Sequence, residues 1–143
     1  MIRKDEGRFG AKHVGVKLND VIASAVRAKA QSGGVSCALA EELAREMKTG
    51  MRDIGVTMDL LEIRMERCQL GLFGYGSGKK IVKSLDAVPE SLKRAIVKAL
   101  TDGRLPCSEA WRIAREHETA RADVAAACES LGIKVCACQL GAF

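Results

Sequence analysis

Apolar residues recur at intervals of three and four over Leu18, Val21, Ile22, Ala25 and Val26, the stripe of an amphipathic helix, and Gly33-Gly34 stops it. Val35 then sits in a very short extended piece. Ser36 is placed to cap a second helix over 37–47, whose Ala40, Leu43, Ala44 and Met47 share one face. Thr49-Gly50 gives a turn, and a third helix over 51–61 turns Ile54, Met58 and Leu61 inward. The period then changes from helical to two, because Glu62-Ile63-Arg64-Met65-Glu66 alternates as a half-buried strand does. The pattern predicts helix, short strand, helix, turn, helix, strand.

The same pattern returns further along. Residues 35–73 align without a gap on 105–143, with Cys37 and Cys107 standing 70 positions apart and Cys68 and Cys138 likewise. Extended back to Leu18 and Val88, the alignment covers about 56 positions with about 16 identities, where chance gives roughly 4. Both copies close on Cys-Gln-Leu-Gly with Phe two residues later, at Cys68 and at Cys138. The chain therefore divides into an N-terminal tail over 1–17, a first repeat over 18–73, a Gly/Lys linker over 74–87 and a second repeat over 88–143.

Composition narrows the class. The chain has 143 residues, 48% apolar and 29% charged, enough for a real core, and 3% aromatic residues with two prolines favour a mostly α protein with short strands over a β sandwich. The first residues scatter charges and lack an apolar core, which argues against a signal peptide or a membrane span and for the cytoplasm. The run Arg67–Lys80 has the look of a phosphate loop, but Phe73 stands where the first Gly belongs and Lys80 where Ser or Thr belongs. Cys68–Phe73 closes the first repeat, and the glycines and lysines of 74–80 are linker. With two histidines and no assembled nucleophile, carboxylate pair or cofactor loop, the chain reads as a binding protein and not an enzyme.

The element order resembles the winged-helix branch of the helix-turn-helix family, in both repeats. That family places a small residue early in the second helix and an aliphatic one ten positions on, and Ala44 with Ile54 and Ala114 with Val124 fill those positions. Lys48 and Glu118 stand where the family's turn usually has Gly. The resemblance implies two tandem winged-helix-like units and DNA binding or transcription regulation, helix three reading the major groove. The candidate contacts are Arg52 and Arg121 on the two third helices, with Lys79 and Lys80 in the connection and Lys93, Arg94 and Lys98 on helix one of the second repeat. Asp53, Asp59, Asp123 and Glu129 stand beside those arginines and would repel phosphate. A net charge of +5 permits nucleic acid without demanding it. The alternative is the same scaffold used to bind protein, a second copy of the chain included, with Trp111 at the position of Glu41 either covering the other repeat or marking a partner surface.

The six cysteines leave three readings open: packing, a metal or cluster site, or redox pairing, the last two at Cys37, Cys68, Cys107, Cys136 and Cys138 and either able to make a cysteine-based sensor. Zinc or an iron–sulfur cluster is the cofactor such a site would take, though the spacing matches no close-set zinc pattern. Cys37 and Cys107 would open helix two, where unpaired N–H groups favour a thiolate. Cys136 and Cys138 would share one face of a strand, and Cys128, at the position of Met58, packs. His117 is expected in the core position of Met47.

Overall fold

Asn19 opens α1 (Asp20–Lys29), its side-chain oxygen accepting from the backbone N–H groups of Val21 and Ile22 at 3.0 and 3.1 Å. The computed structural model to which this helix belongs describes residues 9–30, 33–76 and 80–143. A 3-10 helix, Phe9–His13, precedes α1. β1 (Gly34–Ser36), α2 (Cys37–Glu46), α3 (Met51–Leu60) and β2 (Arg64–Glu66) follow it. Then come α4 (Glu90–Lys98), β3 (Leu105–Pro106), α5 (Cys107–Glu116), α6 (Arg121–Leu131) and β4 (Val135–Cys136). The described residues are mostly helical with a few short strands, and the order helix, strand, helix, helix, strand runs through them twice.

Each run closes on itself in the same way. β1 pairs parallel with β2, Val35 opposite Met65, and β3 pairs parallel with β4, Leu105 opposite Val135. Parallel pairing needs a long crossover, and two helices supply it each time. Ser36 caps α2, its hydroxyl accepting from Leu39 N–H at 3.2 Å, whereas Pro106 opens α5 with no side-chain cap.

The turn between the second and third helices keeps a left-handed residue although neither run has glycine there. Lys48 adopts φ 53° and Glu118 φ 50°, a conformation that costs a side-chain-bearing residue roughly 1 kcal/mol. The turn is held on its far side by matching bonds. Thr49 and Thr119 donate from their backbone N–H to the carbonyls of Ala44 and Ala114 at 3.0 Å. Their hydroxyls donate to Asp53 and Asp123 at 2.9 and 3.0 Å.

One core runs through both halves. Val26, Leu43, Ile54 and Met58 from the first join Ile96, Leu105, Ile113 and Val124 from the second, with Leu70, Phe73 and Leu140 between them. Contact at the join is close: a Cβ on Gly55 of α3 would stand 2.0 Å from the Leu140 carbonyl oxygen.

Three expectations from the pattern need correction. Val21 is 71% exposed, because it falls in the first turn of α1 beside the cap and faces out. His117 is exposed as well, since α5 ends at Glu116 and His117 caps it with its ring in solvent. Cys136 and Cys138 do not share a strand face: β4 stops at Cys136, and Ala137 at φ 51° turns the chain before Cys138.

Candidate functional site

The repeated Cys-Gln-Leu-Gly run folds into a loop closed by its own backbone. Cys68 N–H donates to Phe73 O at 3.1 Å and Gly71 N–H to Cys68 O at 2.8 Å, with Gly71 at φ 76°. Cys138, Phe143 and Gly141 repeat both bonds, at 3.0 and 2.9 Å, with Gly141 at φ 81°. The Gly is needed for that left-handed φ, and the Leu anchors the loop in the core, Leu70 at 0% and Leu140 at 5% exposure. In each loop the Gln reaches back to the thiol that opens the second helix. Gln69 Nε2 donates to Cys37 Sγ and Gln139 Nε2 to Cys107 Sγ, both at 3.7 Å.

The two loops bring Cys37, Cys68, Cys107 and Cys138 close enough for their charges to oppose one another. Burial dominates their chemistry. It pushes the Cys37 thiol up to about 12 and Cys107 up to about 11 against the Gln hydrogen bonds that favour ionisation, and it raises Cys68 as well. The thiolate expected at the helix N-terminus is thereby contradicted, because burial is the largest influence on both thiols. Among the described residues no group of three His, Cys, Asp or Glu side chains is placed to hold a metal ion. Cys128 is buried in α6 and raised to about 11 by the same cause, and Cys136 is half-buried.

Arg121, a candidate DNA contact, is spent inside the molecule. Its guanidinium pairs with Glu41 of the other half, donates to Gln69 Oε1 at 2.8 Å, and lies 3.6 Å above the centre of the Trp111 ring. Trp111 thus belongs to the join, half-buried, with an indole N–H that finds no acceptor among the described residues. The signal for this cluster was a coupled exchange between the repeats, Glu41 to Trp111 and Met51 to Arg121, in which the new cation meets the acid kept by the other copy.

The third helices present little to solvent. Ile54, Gly55, Thr57, Met58 and Asp59 of α3 are buried, as are Val124, Ala125, Ala126, Ala127 and Cys128 of α6. Arg52 is exposed in the first turn of α3. Lys80 is exposed and paired with Glu129, and Lys79 lies outside the described residues. Lys93, Arg94 and Lys98 are exposed together on α4. Sequence reasoning missed a buried acid: Asp59 accepts from His13 Nε2 at 2.8 Å and pairs with Lys12 at 3.1 Å, fastening the N-terminal 3-10 helix to α3. Among the described residues no helix is long and apolar enough to cross a membrane.

Comparison of the chain with protein-family models, with curated proteins and with solved structures finds no match.

Proposed function

We propose that the chain is a non-enzymatic binding protein, two helix-turn-helix units of winged-helix type in tandem, that holds nucleic acid by its phosphates and does not read its bases. The observation that carries this reading is the outer face of α4. Lys93 and Arg94 stand one turn from Val97 and Lys98, all four are exposed, and none of the three cations forms an ion pair with another described residue. Glu90 is the one acid on that helix. Cations without carboxylate partners release counterions when phosphates take their place. Base reading is unsupported, since Gly55, Asp59, Ala125 and Ala126 on the outward positions of α3 and α6 are buried, Arg121 is paired with Glu41, and exposed Arg52 stands beside Asp53.

The test is a gel shift or anisotropy titration with random-sequence duplex over a salt series. Affinity is expected to fall steeply with salt and to be indifferent to sequence. Replacing Lys93, Arg94 and Lys98 together by Ala should flatten the log–log salt slope by about 2 to 3. No binding at roughly 50 mM salt would overturn the reading.

A further inference from the structure

The second half holds a cavity of about 480 Å³ bounded by α6, β4 and the closing Phe143. That volume falls in the range of about 300–1,000 Å³ typical of small-molecule sites. Its counterpart in the first half is nearly shut, at about 10 Å³. The correspondence is residue by residue. Met58, Asp59, Ile63 and Met65 line the small one, and Cys128, Glu129, Ile133 and Val135, each 70 positions on, line the large one.

Two differences separate the halves. Met58 and Met65 are bulkier than Cys128 and Val135. In addition the N-terminal 3-10 helix lies against α3 with Phe9 buried, Lys12 and His13 fixed on Asp59, and Gly10 N–H donating to Glu62 at 3.1 Å. In the second half a lysine again meets the acid, Lys80 on Glu129, but the chain carries no aromatic residue between Tyr75 and Trp111.

The rims differ in charge. In the first half Gly34, Arg64 and Glu66 form a neutral set, with Arg64 Nη2 donating to Glu66 Oε1 at 2.9 Å and the Glu66 side chain lying over Gly34. The matching positions in the second half are Arg104, Lys134 and Cys136, all on the cavity wall. The acid is gone and a cation is added, and neither Arg104 nor Lys134 forms an ion pair with another described residue.

We propose that this cavity binds a small aromatic carboxylate, its ring over Leu72, Ile133 and Val135 and its carboxylate on Arg104 and Lys134. The aromatic body follows from the apolar floor of Leu72, Ile133 and Val135 beside the Phe143 ring, against which a flat ring can pack. The anion follows from two cations without partners above an apolar floor, where a planar guanidinium takes a carboxylate with two parallel hydrogen bonds.

The experiment is a titration of the full chain followed by amide NMR at moderate salt, with 2-naphthoate, 2-naphthamide and inorganic phosphate as separate probes. Naphthoate is expected to shift the amides of Cys128, Gly132 and Ile133 saturably, and to bind at least about tenfold more tightly than the amide or phosphate. Arg104→Gln with Lys134→Gln, both at exposed positions, should weaken naphthoate by about tenfold or more while the spectrum stays folded. Saturation by phosphate alone with equal strength, equal binding of the amide, or binding unchanged in the double variant would each overturn the proposal. None of these readouts involves the α4 cations, so failure here is distinct from failure of duplex binding.

Discussion

Phe73 and Phe143 meet edge to face across the join, ring centres 5.9 Å apart and planes at 84°. They are the same residue of the repeat, 70 positions apart, so the two closing loops touch through equivalent rings. Phe73 is 2% exposed and Phe143 half-buried. Phe73→Ala should therefore cost about 3–5 kcal/mol in urea unfolding and Phe143→Ala less. The double-mutant cycle should leave a coupling of about 0.5–1.5 kcal/mol. Strict additivity would mean that the halves do not meet through these rings.

Gly55 offers a test in which the sign is the answer. In an exposed helix Gly→Ala stabilises by about 1 kcal/mol. At Gly55 the new methyl would meet the Leu140 backbone at 2.0 to 2.8 Å, where no flexible side chain can yield. Gly55→Ala should destabilise by about 1–3 kcal/mol, measured as a lower urea midpoint with the slope unchanged. A stabilised variant would show that the loop carrying Leu140 does not press on α3.

What the sequence disclosed and what it hid follow one physical line. Helical stripes and the Ser36 cap were legible because each depends on residues within a turn of one another, and the strand alternation at Arg64–Glu66 was legible for the same reason. The cysteines were harder. Their position at a helix end favoured a thiolate, but they are buried in a core shared by both repeats, and that burial raises them. The regular strand drawn through Cys136 and Cys138 failed because Ala137 takes a left-handed φ that no local residue type announces. Asp59 looked like a solvated acid on helix three, and its burial depends on His13 and Lys12 from the far N-terminal side.

The thiols give a pH signature. Cys37 and Cys107 rise from 9.0 to about 12 and about 11, so between those limits the unfolded chain has lost protons that the native state keeps. Their contribution is whole below pH 9 and is lost as pH climbs from about 9 through 11 to 12. The slope is at most about 1.4 kcal/mol per pH unit for each thiol. Other groups titrate in the same range, so the check is a comparison. A Cys37→Ala, Cys107→Ala variant should show a shallower fall in urea midpoint above pH 9 than the parent. At pH 8 these two thiols should react with a disulfide reagent only after unfolding, and rapid native labelling of Cys37 would contradict its burial.

The N-terminal 3-10 helix makes the last prediction, because it separates a plug from an ornament. Phe9 is 2% exposed while its helix sits on Asp59 and Glu62 through Lys12, His13 and Gly10. If Phe9 seals the groove of the first half, Phe9→Ala removes a buried ring from a site that its polar fastenings keep from collapsing, and it should cost about 3–5 kcal/mol. Benzene at saturating concentration should recover part of that loss, as a dry engineered cavity takes up an apolar guest. His13→Ala should cost less, about 1–3 kcal/mol, since it leaves Asp59 with Lys12. A Phe9→Ala variant as stable as the parent would mean that the polar contacts alone hold this helix, and that the first-half groove is closed by Met58 and Met65 without it.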